Sequence, residues 1–386
     1  MFQRKLGEKI LAWAGQYPVV TITGPRQSGK TTLARALFPN HRYVSLEELD
    51  QRRFAQEDPR GFLEECRTGA VIDEIQNVPD LVSYLQGEVD RDDRAGRFIL
   101  TGSRQFEMME MESVSQSLAG RTAIARLLPL SFAEIPGLGE GEPPEVSIFK
   151  GFYPRIHDRG LDPSEAYSFY VSTYLERDVR QMSQVADLAT FGKFLQLCAG
   201  RCGQLLNLSA LSNELGVTHP TIRRWVSILE ASHIVKLLQP WHANIRKRLV
   251  KTPKLYFIDT GLACHLLGME TAAQVRSHPL GGALFENMIV AEALKQRFNA
   301  GRTDNLYFYR DHPGNEVDLL LGYADGQDGF EIKSARTISP SFFRGLNAYE
   351  HAVGAFRNRA IVYGGEDARV EKATQVVPWH RFRVDC

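Results

Sequence analysis

The stretch PVVTITGPRQSGKTTLARALF, residues 18–38, joins three unlike pieces. Its first residues, Val19 to Thr23, are apolar and β-branched, as a buried strand requires. Its last part has helical character, and Gly24 and Gly29 bound the loop between. That loop fits G-x-x-x-x-G-K-[ST] over Gly24, Pro25, Arg26, Gln27, Ser28, Gly29, Lys30 and Thr31, with Thr32 following. Glycine at both ends lets the backbone turn its N–H groups inward around phosphates. The helix start adds its positive dipole end. Lys30 is placed to reach β- and γ-phosphates, and the Thr31 hydroxyl to ligate Mg²⁺.

About forty residues on, TGAVIDEIQNVPD sets Asp73 and Glu74 at the end of a short apolar run. On a buried parallel strand, Asp73 would hold Mg²⁺ through water, and Glu74 would orient or deprotonate the attacking water. RFILTGSRQF reads as another strand ending in polar residues. Its Ser103 either holds water or senses the γ-phosphate, or it simply ends the strand in a turn. SLAGRTAIARLLPLSFAEI supplies Arg121 ahead of a further strand, a candidate arginine finger with Arg177 and Arg180 as competitors, the alternative for each being a surface arginine with no catalytic part. Strands alternating with helices predict a parallel sheet wrapped by helices.

GPRQSGKTT, AVIDEIQ, FILTGSRQ and SLAGR, in this order, resemble the AAA-type P-loop ATPases of bacteria and archaea. In those proteins a C-terminal region of unknown function follows the ATPase. The resemblance spans almost the whole chain and implies ATP binding with Mg²⁺-dependent hydrolysis. A finger at Arg121 implies a homo-oligomer.

At 386 residues the chain exceeds one ordinary core. Lys plus Arg and Asp plus Glu both number 46, so any basic surface must be local. Five cysteines without a C-x-x-C pair give neither a zinc site nor a disulfide framework, which fits a cytoplasmic protein. No stretch is apolar for the roughly 18 residues a membrane span needs.

GEGEPPEVSIFKGFYPRIHDRG, rich in Gly and Pro, reads as a linker or boundary near residues 140–160. Helical periodicity follows, and LSALSNELGVTHPTIRRWVSILEASHIVKLL reads as a helix-turn-helix. Leu208, Leu211 and Leu215 share one face, Gly216 makes the turn, and Thr218 caps a helix burying Ile222, Trp225 and Leu229. HIVKLLQPW and PKLYFIDT would be wing strands. The second helix would expose His219, Thr221, Arg223 and Arg224 to DNA. The connection between the strands, with Arg246, Lys247, Arg248, Lys251 and Lys254, suits phosphate contact. The alternative is a winged helix that only packs.

Near the C-terminus, NEVDLLLGYADGQDGFEIKSA predicts a hairpin turning at ADGQDG, with Glu331 and Lys333 on one face and Asp318 on the partner strand. A helix carrying Glu286 precedes it. Helix Glu, then Asp, then Glu-x-Lys resembles the PD-(D/E)xK nuclease core, with Val317 where that pattern has proline. The resemblance implies Asp318 and Glu331 as metal ligands, Glu286 as the upstream acid, and Lys333 as the partner that activates water.

The expected architecture is therefore α/β in three parts. Residues 1–155 form an AAA-type P-loop domain, 156–275 a helical linker and winged helix, and 276–386 a restriction-endonuclease-like domain. The expected function couples ATP state to DNA binding and DNA cleavage. The alternative is a nucleotide-controlled DNA- or protein-binding regulator with an inactive nuclease-like domain.

Overall fold

The computed structural model describes residues 2–102, 118–175, 188–241 and 252–384. Ser103, Arg177, Arg180, Arg246, Lys247, Arg248 and Lys251 lie outside the described residues. The chain forms two compact units. One comprises Met1–Leu130 with the short pieces Ala231–His233 and Phe298–Arg302, and the other takes the remainder. The division falls after Leu130, where the sequence suggested 155.

The first unit is built on β1 (Val19–Thr23), β2 (Arg42–Ser45), β3 (Ala70–Asp73), β4 (Phe98–Thr101) and β5 (Thr122–Arg126). All pairings are parallel, in the order β2-β3-β4-β1-β5. The near-continuous apolar runs follow from burial on both faces. Val19, Ala70, Ile72, Phe98 and Leu100 enter one core with Leu81, Val82 and Leu85 of the helix Leu81–Arg91. Their strand neighbours Val20, Ile22, Val71 and Ile99 enter the other, with Leu6 and Ile10 of Leu6–Ala14 and Leu33 of Lys30–Leu37. Each Val, Leu, Ile or Phe among them contributes about 1.5–3 kcal/mol by burial. β1 lies between β4 and β5, and ligands of such open sheets usually bind beyond the strands' carboxyl ends.

The second unit carries β6 (Val235–Pro240), β7 (Lys254–Phe257), β8 (Leu306–Arg310), β9 (Glu316–Tyr323), β10 (Gly326–Lys333), β11 (Asn358–Tyr363), β12 (Arg369–Glu371) and β13 (Thr374–Pro378). They form one mixed sheet in the order β12-β13-β11-β10-β9-β8-β6-β7. Residues on either side of 275 thus share a sheet.

Two local expectations are corrected. The Gly/Pro-rich segment is no loose linker: it holds the helices Pro144–Lys150 and Pro154–Arg159, each with proline in its first turn. Gly151 between them is needed for close approach, since a Cβ there would lie 2.0 Å from the Tyr167 hydroxyl oxygen. The hairpin turns earlier than ADGQDG suggests. Gly326 pairs with Tyr323 and Gly329 with Leu320, so the polar stretch continues as strand. Gly329 serves packing there, because a Cβ would meet the Phe356 ring at 2.3 Å.

The helices Leu208–Leu215 and His219–Ala231 are separated by Gly216 at φ 66°. Thr218 Oγ1 accepts the Thr221 N–H at 3.4 Å. Ile222, Trp225 and Leu229 are buried, and Phe191 and Phe194 pack on the Trp225 ring at 5.3 Å each. Arg223 and Arg224 are exposed. β6 and β7 run antiparallel after these helices.

Candidate functional sites

At the carboxyl end of β1 the chain turns through the glycine-bounded loop into the helix Lys30–Leu37. Gly24 has φ 144°, and a Cβ there would lie 2.1 Å from the Leu127 carbonyl oxygen. Gly29, at φ 92°, forms the N-terminal cap of the helix. Only glycine tolerates both demands. Lys30 is buried, and its Nζ donates to the carbonyls of Gly24 at 3.0 Å and Pro25 at 2.9 Å. Arg4 braces the loop from the first helix's start, donating to Ser28 O at 2.7 Å and Leu128 O at 2.6 Å. Ser28 is buried, Arg26, Gln27 and Thr31 are half-buried, and Thr32 is exposed.

Asp73, at the end of β3, faces this loop. Thr31 Oγ1 donates to its carboxylate at 3.0 and 3.1 Å, Tyr43 from β2 at 2.9 Å, and Thr101 from β4 also donates. Burial, and then the hydrogen bond to Asp73, pushes the Tyr43 phenol up to about 12. Glu74 follows in the left-handed region at φ 57°, its N–H on Thr101 Oγ1 at 3.3 Å and its carboxylate accepting from Gln76. A hydroxyl beside a carboxylate is an oxygen donor set that fits Mg²⁺.

Lys30, Thr31, Asp73 and Glu74 thus share one sheet edge. Arg121 does not join them. It precedes β5, and its carbonyl accepts from Val19 N at 3.2 Å, which places it at the opposite end of the parallel strands. Its guanidinium is ion-paired with Asp90 at 2.6 Å.

In the second unit the C-terminal carboxylates converge. Lys333 Nζ lies 3.0 Å from Asp318 Oδ2 and 2.7 Å from Glu331 Oε1. The Ile332 N–H donates to Asp318 Oδ2 at 2.7 Å, fixing that side chain across the hairpin. Glu286 comes from the helix Gly281–Asn299, and Glu316 lies two residues before Asp318 on the same strand face. One carboxylate oxygen from each of Glu286, Glu316 and Asp318 falls within 4.8 Å of the others. Glu331 Oε2 is buried with no hydrogen-bond partner among the described residues.

Lys254 is not a solvent-facing phosphate contact, contrary to the basic-connection expectation. It is only 4% exposed, ion-paired with Glu286 at 2.9 Å and with Glu316. Tyr256, two residues on, also donates to Glu286. Four carboxylates therefore face two ammonium groups. Burial, and then the Asp318 charge, pushes Glu331 up to about 8, and burial also raises Glu286. Lys333 and Lys254 are both raised, because the neighbouring carboxylates outweigh the cost of burying their charge. A set of carboxylate oxygens converging in this way fits a hard divalent cation.

Asn287 holds the helix to β7. Its side chain accepts from Phe257 N and donates to Phe257 O, each at 2.6 Å, which sets Glu286 beside Lys254 and Tyr256. Sequence reasoning missed Arg4, Tyr43, Thr101, Glu316, Tyr256 and the inward role of Lys254. For Glu316, the alternation E-V-D was an available signal.

Residues 16–136 match the family described as AAA domain. Residues 145–273 match a domain of unknown function (DUF8612), and 281–382 match another (DUF4143). Among solved structures, the Walker-type ATPase paby2304 of Pyrococcus abyssi is similar at 14% identity, covering 68% of this chain and 94% of that one, with a TM-score of 0.44. AMPPCP-bound DnaA from Aquifex aeolicus is similar at 15% identity over 58% of this chain and 85% of that one, with a TM-score of 0.31. Among the described residues no helix is long and apolar enough to cross a membrane. The uncharacterized proteins Rv2008c of Mycobacterium tuberculosis and Mb2031c of Mycobacterium bovis are each 33% identical over 353 residues, covering 90% of this chain and 77% of the relative. The chain belongs to the same family as these two mycobacterial proteins, and carries its AAA domain over residues 16–136.

Proposed function

We propose that the chain is a Mg²⁺-dependent ATPase whose nucleotide state sets the DNA-handling behaviour of a nuclease-like C-terminal region. The observation that carries this reading is the meeting of Lys30, Thr31 and Asp73 at one edge of a parallel sheet. ATP phosphates would lie against the loop N–H groups and the start of the helix Lys30–Leu37. Lys30 would exchange the Gly24 and Pro25 carbonyls for phosphate oxygens. Thr31 and Asp73 would hold Mg²⁺, which neutralises charge on the transferring phosphoryl group. Glu74 would orient the attacking water and take its proton. Arg121, remote from its own loop and paired with Asp90, would act as a finger only toward a neighbouring subunit, and is otherwise a surface ion-pair residue.

In the C-terminal region, Asp318 and Glu331 would hold a divalent cation that polarises a phosphodiester, with Glu286 as the upstream acid beside them, and Lys333 would help activate water. The helices 208–215 and 219–231 with the β6–β7 pair support a winged-helix reading, with Arg223 and Arg224 on the DNA side. One observation favours a second reading, a nucleotide-controlled binding protein with an inert C-terminal site. Lys254 and Lys333 already pair with all four carboxylates, as a metal-free structural network would.

The test incubates the full chain, with and without ATP, with duplex, single-stranded and branched DNA in Mg²⁺ or Mn²⁺. Cleavage lost in Asp318→Asn and Lys333→Ala is the expected result. Equal inactivity of wild type and both variants on every substrate would leave the binding reading in its place.

A further inference from the structure

The two sides of the C-terminal carboxylate cluster are not alike. On the Asp318–Glu331 side, Lys333 bridges one oxygen of each residue. Glu331 is only 6% exposed, and its Oε2 still lacks a hydrogen-bond partner among the described residues. A buried acceptor left over in this way calls for a cation or a donor. On the Glu286–Glu316 side, the Lys254 ammonium bridges both carboxylates, while Arg310 reaches only the outer Glu316 oxygen, at 3.6 Å. It arrives from β7, near the Phe308 ring with 5.5 Å from Nζ to the centroid, and is almost completely buried. A divalent ion seated between Glu286 and Glu316 would sit against that ammonium, and like charges at such range repel strongly in a desolvated site.

We propose that Lys254 is the resident counter-cation of the Glu286–Glu316 side and limits the cluster to one divalent ion, held on the Asp318–Glu331 side. The inference rests on the metal-site reading given above. Two-metal phosphodiesterase sites place a second cation opposite the first, to clamp the attacking and leaving oxygens. Here a lysine of the chain supplies the second positive charge, fixed in place. Without that ammonium, Glu286, Glu316 and Asp318 present three carboxylates close enough to share an ion.

The test counts Mn²⁺ bound to the nucleotide-free full chain by electron paramagnetic resonance, taking only the part lost in Asp318→Asn. Wild type is expected to bind one ion. Lys254→Met, with Lys254→Gln as a second variant should the first not fold, is expected to bind two, with the spectrum of an exchange-coupled pair. Lys254→Arg keeps the charge and should stay at one, and Lys254→Met combined with Glu316→Gln should return to one. Two ions in wild type would overturn the inference alone, as would one ion in every folded Lys254 variant. No Asp318-dependent Mn²⁺ in wild type would overturn the metal-site reading itself, and the inference with it.

Discussion

Asp73 shows how much of a site a single residue leaves unsaid in sequence. The run AVIDE marks it as the acid ending a buried strand, and its spacing from Lys30 and Thr31 makes it their partner. That Tyr43 and Thr101 also donate to it depends on β2, β3 and β4 lying side by side, which no local pattern encodes. Tyr43→Phe removes one donor to this carboxylate and should cost about 1.5–3 kcal/mol of stability, read from the urea midpoint. Another buried acid gives a pH prediction. Glu292, with Phe132 N on one oxygen at 3.0 Å and Gln296 on the other at 2.7 Å, is pushed up to about 7, chiefly by burial. Folded protein therefore keeps this proton to higher pH than the unfolded chain does. Its contribution is intact below the ordinary carboxylate range and is lost as pH rises toward 7. Glu292→Gln should flatten the fall in stability between about pH 4.5 and 7, and an unchanged slope would exclude this role.

At the scale of elements, periodicity located several helices and strands, because buried faces impose it. The helix pair around Gly216 and the strand pairs flanking the C-terminal acids were legible in this way. The hairpin's turn was not, because its glycines looked like turn formers while Gly329 makes room for Phe356. Nor was the joining of β7 to the helix Gly281–Asn299, which Asn287 makes through both polar groups of Phe257. Asn287→Leu leaves two buried backbone groups unpaired, at about 1–3 kcal/mol each. Stability should fall by about 2–6 kcal/mol in denaturant titration. If the helix His219–Ala231 meets DNA, Arg223→Ala with Arg224→Ala should weaken duplex retention and lower the salt-dependence slope by about 1 per lost phosphate contact. Unchanged retention at low ionic strength would remove that helix from the DNA interface.

For the whole molecule, the P-loop sheet was readable because its motifs are local and ordered along the chain. The division after Leu130 and the single sheet shared across residue 275 were not, because they depend on which distant strands pair. The same holds for the C-terminal site, where Glu286, Lys254 and Glu316 come from three separate elements. The central claim is that the loop Gly24–Thr31, with Asp73 and Glu74, makes this protein an ATPase. The most direct measurement is steady-state phosphate release from Mg·ATP by wild type and Lys30→Ala at matched folding. Hydrolysis by wild type, lost by at least about a hundredfold in Lys30→Ala, is the predicted result, in line with the size of such electrostatic contributions. Turnover by Lys30→Ala equal to wild type would contradict it.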